Sequence, residues 1–189
     1  MEKLVVASGN KNKIREIKQL IGDKFNIVSM ADEGITVEVE ENGTTFEQNA
    51  LIKAKAIYQI CRCAVISDDS GLMVDALGGE PGVYSARYAG EPCNDANNNA
   101  KLLAKLKGVS DTSAHFVSAV AFYDGVRELV TTGTVDGKII FEYQGDNGFG
   151  YDPYFYCTEL GKTFGTANSA EKNAVSHRAR ALAKLVELL

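Results

Sequence analysis

Positive charge and long apolar runs are both scarce in this 189-residue sequence. The formal net charge is −5 at pH 7, which argues against a protein that coats nucleic acid or an anionic membrane surface. No apolar run has transmembrane length, and Lys11, Lys13 and Arg15 interrupt the first apolar stretch. We therefore expect no membrane span, no signal peptide and no nucleic-acid partner, and we predict a cytoplasmic protein.

Cysteine is also scarce, and the arrangement of its four copies excludes two classes of site. Cys61, Cys63, Cys93 and Cys157 contain no C-x-x-C pair and have no histidine cluster near them. This is neither a disulfide framework nor the ligand spacing of a zinc site, so we expect reduced thiols. Repeats, low-complexity tracts and linkers are absent. The apolar content of 45% is ordinary for one large globular domain or a two-lobed one.

Two adjacent carboxylates follow a short apolar segment in the first half of the chain. Ala64–Ile66 is typical of a buried strand, and Asp68 and Asp69 come just after it. Neighbouring side chains of an extended segment point to opposite faces, so one carboxylate can enter a cleft while the other anchors the backbone. A hard divalent cation is the simplest partner for the first of these. An Asx-turn that leaves the strand is the alternative interpretation.

The N-terminal segment combines a strand, a polar turn and the start of a helix. Lys3–Ala7 is rich in β-branched residues, Ser8–Lys13 is polar, and apolar residues recur at helical spacing from Ile14 onward. Backbone N–H groups at such a helix start can bind phosphate, and lysines there oppose the helix dipole unless an anion is bound. No Walker A motif is present, so a plain strand-to-helix turn is the alternative.

A predicted strand and a predicted helix precede the carboxylate pair. Ile35–Glu41 alternates apolar and polar residues, which predicts a strand that ends in acidic residues. Thr45 and Gln48 form a capping-box pattern, which predicts the start of a helix. Lys53 lies beside the apolar stripe of this helix, where it either faces the cleft with the carboxylates or is solvated.

The second half of the chain contains a predicted hairpin and two predicted helices. Asp124-Gly125 separates two β-rich runs, and Asp136-Gly137 predicts a further turn. Asp95 is the predicted N-cap of a helix that Gly108 ends. Apolar residues at helical spacing from Val175 onward predict an amphipathic C-terminal helix.

A glycine-rich segment and a group of cations complete the candidate site. Gly145–Pro153 can bring its backbone and a ring face close to a flat ligand, with Asp152 accepting hydrogen bonds from ring N–H groups; a tight structural loop is the alternative. Lys172, His177 and Arg178 surround the start of the last helix, where cations favour an electron-rich partner. Together these features suit a metal-bound nucleoside polyphosphate whose base is held at one end.

Six motifs, in the same order along the chain, give a resemblance to the inosine triphosphate pyrophosphatases, also described as XTP/dITP diphosphatases, which clear aberrant purine nucleotides. The resemblance covers nearly the whole chain. It rests on residues 8–13, on 41 with 45–50, on 67–72, on 79–87, on 148–153, and on 171–173 with 176–178.

The resemblance implies an α/β fold with two lobes around a long mixed β-sheet flanked by helices, and an active-site cleft between the lobes. It further implies a homodimer, and residues 1–189 as a single nucleoside triphosphate pyrophosphatase domain. The implied cofactor is Mg²⁺, held by Glu41 and Asp69, and Asp69 is also the implied proton acceptor. The implied contacts to a purine nucleoside triphosphate are Ser8, Gly9, Asn10, Lys11, Asn12, Lys13, Lys53, Ser70, Phe149, Gly150, Tyr151, Asp152, Lys172, His177 and Arg178.

The implied reaction is hydrolysis of ITP, dITP or XTP to the nucleoside monophosphate and pyrophosphate. A different phosphohydrolase, recognisable by its products, and a non-catalytic nucleotide-binding module, recognisable by the lack of turnover, are the alternatives. One departure from the family pattern is visible, because Phe164 is followed by Gly165, Thr166 and Ala167 where relatives often carry Phe-Ala-Glu. This removes a carboxylate near the base-binding side, and we do not expect it to abolish activity.

Overall fold

The computed structural model describes residues 1–189. The strands are β1 (Lys3–Val6), β2 (Asn26–Ser29), β3 (Val65–Val74), β4 (Ser113–Tyr123), β5 (Glu128–Ile139), β6 (Phe155–Cys157) and β7 (Lys162–Thr163). The helices are α1 (Lys11–Ile21), α2 (Phe46–Cys61), α3 (Asp95–Leu106), α4 (Ser169–Val175) and α5 (His177–Leu188). None of the helices is both long enough and apolar enough to cross a membrane.

The seven strands form one mixed sheet in the order β2-β1-β3-β4-β5-β6-β7. β1 pairs in parallel with β2 and β3, whereas β5, β6 and β7 pair antiparallel. Parallel neighbours require a crossover between them, and α1 and α2 occupy the two connections that the chain needs here. The predicted α/β class and mixed sheet are confirmed.

The chain divides into two compact units, and each has its own apolar core. Unit 1 consists of residues 1–69, 118–133 and 178–189, and unit 2 of residues 70–117 and 134–177. The core of unit 1 includes Leu4, Ile17, Ile66, Phe122 and Leu182. The core of unit 2 includes Leu72, Leu102, Phe116, Phe155 and Phe164.

The start of α2 contains one of the two hydrogen bonds of the predicted capping box, because the Gln48 side chain binds the N–H of Thr44 and not that of the N-cap residue Thr45. The Thr45 side chain accepts a hydrogen bond from the backbone N–H of Gln48 at 3.2 Å, and the Gln48 side chain accepts one from the N–H of Thr44 at 2.8 Å. This pairing satisfies a backbone donor that would otherwise lack a partner at the helix start.

The strand predicted at Ile35–Glu41 is wrong, because this segment has no regular secondary structure. Of its apolar side chains, only Ile35 is buried, and Val37 is 48% exposed. An alternating sequence forms a half-buried strand only when one complete row of side chains meets a core. Here that row is not buried.

The turn predicted at Asp136-Gly137 is also wrong, because both residues lie inside β5. Gly137 pairs with Cys157 of β6. A Cβ at Gly137 would overlap the Tyr156 carbonyl and the Phe155 ring. The glycine is therefore explained by a close approach of the neighbouring strand and not by a turn.

Two helix boundaries differ from the predictions. α3 is capped by Asn94, whose side chain accepts from the N–H of Asn97 at 2.9 Å, and Asp95 is the first helical residue. The predicted C-terminal helix is two helices, because Ser176 has an extended backbone and separates α4 from α5. Val175 therefore belongs to α4 and not to the last helix.

Candidate active site

Asp68 lies inside β3, and its side chain is fully buried within unit 1. Its Oδ1 accepts hydrogen bonds from the Ser118 hydroxyl at 2.5 Å and from Arg178 Nε at 3.3 Å. Its Oδ2 contacts Arg178 Nη2 at 3.1 Å and Lys13 Nζ at 2.8 Å. Since the strand continues through both aspartates, the Asx-turn interpretation is wrong, and Asp68 is the carboxylate that anchors the backbone.

Arg178 connects Asp68 to a second buried carboxylate. Its Nη1 forms an ion pair with Glu16 of α1, and the residue is only 1% exposed. Although burial alone would raise the pKa of Asp68, the charges of Arg178 and Lys13 hold it well below its usual value. Asp68 is therefore ionised, and these residues form a buried charge network, which we define as Lys13, Glu16, Asp68 and Arg178.

Asp69 has a different environment, although it is the next residue. It is 7% exposed, and its Oδ2 is buried without a hydrogen-bond partner. Burial raises the pKa of Asp69 to about 6, while the positive charges of Lys53 and Lys13 oppose the increase and the Glu41 carboxylate adds to it. Asp69 therefore offers a buried oxygen that is free to accept a proton or to bind a cation.

Lys53 reaches β3 from α2. Its Nζ donates a hydrogen bond to the Asp68 carbonyl at 2.9 Å and forms an ion pair with Glu41 Oε1 at 3.1 Å. Lys53 is therefore not a solvated helix lysine. The segment that carries Glu41 is fixed to α2 by a hydrogen bond from the Gly43 N–H to Asn49 Oδ1 at 2.8 Å.

Glu41 and Asp69 are the carboxylates that could hold a metal ion. No group of three or more His, Cys, Asp and Glu side chains is arranged for metal binding. Mg²⁺ is commonly held by one or two carboxylates together with substrate phosphates and water. The unpartnered Oδ2 of Asp69 and the nearby Glu41 carboxylate fit this type of site.

Residues Ser8–Lys13 form the loop after β1 and the start of α1. The Asn10 side chain caps the helix by accepting from the N–H groups of Asn12 at 2.9 Å and Lys13 at 3.2 Å. No acidic residue lies in the first turn. Gly9 is open, since a Cβ there would meet no atom within 4 Å. The loop is therefore accessible to an anion, with two of the helix N–H groups already satisfied.

The glycine-rich segment of unit 2 surrounds a buried ion pair. Lys172 Nζ lies 2.7 Å from Asp152 Oδ2, which also accepts from the Phe149 N–H at 3.0 Å. The same ammonium group lies 4.9 Å from the centroid of the Phe149 ring. A Cβ at Gly148 would overlap the Asp152 carboxylate, and Gly148 has a φ of 73°. The sequence therefore folds this segment tightly around Asp152.

Three other residues of unit 2 are implied substrate contacts, and they lie in different elements. Tyr151 donates its hydroxyl to the Ser85 carbonyl at 2.7 Å. His177 begins α5, and its ring stacks on Phe116 with centroids 4.8 Å apart and an interplanar angle of 13°. Ser70 lies in β3.

Comparison with known proteins identifies the family. A family model described as the Ham1 family matches residues 4–188. The chain belongs to the Ham1 family. A relative from Bacillus licheniformis, named dITP/XTP pyrophosphatase, is 48% identical and covers 100% of this chain and 98% of its own length.

Solved structures of Ham1-family relatives have the same fold. The HAM1 protein from Coxiella burnetii matches with a TM-score of 0.89 and 36% identity over 100% of this chain and 98% of its own. A Mycobacterium abscessus protein, described as a nucleoside-triphosphatase and dITP/XTP pyrophosphatase, matches with a TM-score of 0.77 and 44% identity, covering 97% and 98%.

The sequence reasoning missed Glu16 and Ser118 of unit 1, and only Ser118 had a signal in the sequence. Glu16 directly precedes the buried Ile17 in α1, and it is itself buried. Ser118 lies in a row of β4 that otherwise contains Phe116, Val120 and Phe122. A lone polar residue in an apolar row indicates a buried hydrogen-bond partner, which here is Asp68.

Proposed function

We propose that this chain hydrolyses ITP, dITP and XTP to the nucleoside monophosphate and pyrophosphate. The proposal rests on the environment of Asp69. Its buried Oδ2 has no hydrogen-bond partner, and the positive charges of Lys53 and Lys13 lower the pKa of the same carboxylate. Such a group suits the activation of a water molecule beside a bound polyphosphate. Full-length relatives named dITP/XTP pyrophosphatase support the choice of substrate and reaction.

In the proposed reaction, Asp69 accepts a proton from a water molecule whose oxygen attacks the α-phosphorus. The bond between the α-phosphorus and the bridging oxygen to the β-phosphorus breaks, and pyrophosphate leaves with that electron pair. Lys11, Lys13 and Lys53 stabilise the negative charge of the triphosphate. Asp69 must be ionised to take up this proton, and the positive charges of Lys53 and Lys13 favour the ionised form.

Glu41 and Asp69 would hold Mg²⁺ in this proposal. When bound, the cation neutralises phosphate charge and orients the triphosphate. Residues Ser8, Gly9, Asn10 and Asn12 would bind phosphate oxygens together with the lysines.

We further propose that Phe149–Asp152, Lys172, His177 and the Arg178 backbone select the base, and that Ser70 is another contact to the substrate. Hypoxanthine and xanthine present an acceptor at purine position 6, whereas adenine presents an amino donor there. Donors at the start of α5 would pair with the acceptor and would be left without one by adenine. Such mismatches discriminate by roughly 10⁴-fold in desolvated sites.

The experiment is an assay of pyrophosphate release from ITP, XTP, GTP and ATP, with Mg²⁺ or with a chelator. We expect release from ITP and XTP only, and a loss of roughly 10²–10⁴-fold in kcat for Asp69→Asn. Asp23→Asn is the matched control, because Asp23 is an exposed carboxylate of unit 1. Thermal unfolding of both variants checks that the fold is intact.

Two other outcomes would replace the proposal. Orthophosphate as the released product would indicate a different phosphohydrolase, and tight binding of ITP without turnover would indicate a nucleotide-binding module. The homodimer and the cytoplasmic location stay predictions, and sedimentation equilibrium of the purified chain tests the first.

A further inference from the structure

The glycine of the Phe149–Asp152 segment is held by two side chains of α3. The Gly150 N–H donates to Asp95 Oδ2 at 3.0 Å, and the Gly150 carbonyl accepts from Asn99 Nδ2 at 2.9 Å. Asp95 and Asn99 are four residues apart, so they lie on the same face of α3. Both polar groups of one glycine are therefore bound by a single helix.

The chemistry of these hydrogen bonds determines how the Asn99 amide is oriented. A carbonyl can only accept, so the amide nitrogen must face Gly150, and Oδ1 points elsewhere. Asn99 is 7% exposed, and its Oδ1 is buried without a hydrogen-bond partner. Leaving a buried acceptor unsatisfied destabilises the fold, and a residue with no role beyond helix packing would not require it.

The conformation of Gly150 explains why the segment needs external support. Gly150 has a φ of 62°, and no atom lies within 4 Å of the place where a Cβ would be. The next two residues are held by their side chains, because Tyr151 donates to the Ser85 carbonyl and Asp152 pairs with Lys172. Gly150 has no side chain to pack, so its position depends on its backbone contacts to α3.

We propose that Asp95 and Asn99 are positioning residues that fix Phe149–Asp152 for recognition of the purine base. The inference rests on the proposed function, in which this segment contacts the base. Neither residue belongs to the six motifs of the family resemblance. Release of Gly150 weakens base binding and base discrimination, while the phosphate-binding residues and Asp69, which lie in unit 1, are unchanged.

The first test compares Asn99→Leu with Asn98→Leu. Asn98 is a buried asparagine of the same helix, but its amide binds the Ala86 carbonyl and the Ala89 N–H. We expect both variants to lose thermal stability. Only Asn99→Leu should raise the KM for ITP about tenfold and lower the preference for ITP over ATP by a similar factor, with kcat within about twofold, because a lost hydrogen bond changes binding by about this amount.

The second test changes the Asp95 carboxylate, which accepts the hydrogen bond from the Gly150 N–H. Asp95→Ala removes the hydrogen bond from Gly150 and should raise the KM for ITP several-fold, whereas Asp95→Asn retains an amide oxygen that can accept it and should restore the wild-type KM. A purely electrostatic effect on the start of α3 would predict the same change in both variants.

Binding measurements separate this inference from the proposed function. Calorimetric titration of ITP into the Asp69→Asn variant, with and without Asn99→Leu, reports affinity without turnover. An affinity for ITP that falls with Asn99→Leu and not with Asn98→Leu supports the inference even if wild-type protein releases no pyrophosphate. Equal affinities and equal KM values for the two variants overturn it, while pyrophosphate release by wild-type protein would leave the proposed function intact.

Discussion

Replacing Arg178 by leucine should destabilise the protein strongly at neutral pH. The guanidinium group faces Asp68 through two nitrogens and Glu16 through the third, and all three residues are buried. Removing one partner of a buried ion pair typically costs about 3–5 kcal/mol, because an uncompensated charge remains. Asp68 retains Lys13 at 2.8 Å, which should keep the loss below that of a fully uncompensated carboxylate.

The loss should be visible as a lower unfolding midpoint. For a chain of this size, 1 kcal/mol corresponds to roughly 2–4 °C in Tm, so we expect a decrease of roughly 6–20 °C. Arg127→Leu is the control, because Arg127 pairs with Asp124 at 2.7 Å on the surface of the same unit. Exposed pairs contribute at most about 1 kcal/mol.

The pH dependence tests the cause of the destabilisation. In the wild-type protein the pKa of Asp68 is held below its usual value, so its contribution is present at neutral pH and is lost as the pH falls through the folded-state pKa. In Arg178→Leu, burial is opposed only by Lys13 and by the hydrogen bond from Ser118, so this pKa should rise and the protonated form should be tolerated. The difference in unfolding free energy between the two proteins should therefore shrink from pH 7 to pH 4.5.

A second substitution sharpens the test. Glu16→Gln in the Arg178→Leu background removes one of the two buried carboxylate charges that Arg178 balances in the wild-type protein, and it should recover part of the lost stability. The reasoning is refuted if Arg178→Leu unfolds within about 1 kcal/mol of wild type at pH 7, or if its deficit is the same at both pH values. Either result would mean that solvent reaches these carboxylates.

Three further outcomes are expected from other parts of the chain. Gly165→Ala should destabilise by about 1–3 kcal/mol in urea unfolding, because a Cβ there would overlap the Gln144 carbonyl. Thr45→Ala should cost about 1 kcal/mol in the same assay, since it removes the N-cap of α2. At pH 8, iodoacetamide should modify the exposed Cys93 before Cys63. The reason is that burial raises the pKa of the Cys63 thiol to about 11, which leaves little of the reactive thiolate. Mass spectrometry of the modified peptides reports the order.

Local patterns predicted the parts of the fold that depend on local chemistry. The cap at Thr45 and the hairpin at Asp124 are both present, because a helix start and a tight turn are decided by a few neighbouring residues. The strand predicted at Ile35–Glu41 and the turn predicted at Gly137 were wrong, because both structures depend on what packs against the segment. Sequence alternation cannot report whether a core is present on one side.

The candidate site was predictable to a similar degree. The carboxylate pair could be identified as chemically unusual, whereas the sequence left Lys53 either facing the cleft or solvated; the structure brings all three residues together within unit 1. The contacts of Arg178 could not be predicted, because Asp68 lies 110 positions away in the chain. Its position beside two cationic residues suggested a ligand, whereas the structure uses its guanidinium group to balance two buried carboxylates.

The pair Asp68 and Asp69 illustrates how identical neighbours acquire different chemistry. Alternation along β3 gives them opposite faces, so Asp68 meets the guanidinium of Arg178 and its pKa falls, while Asp69 is buried with an unpartnered oxygen and its pKa rises to about 6. Environments that lower the pKa of one carboxylate and raise that of its neighbour are typical of acid–base sites. Lys13 acts on both, since it pairs with Asp68 and lowers the pKa of Asp69. The buried network around Asp68 therefore also holds a positive charge in place for Asp69.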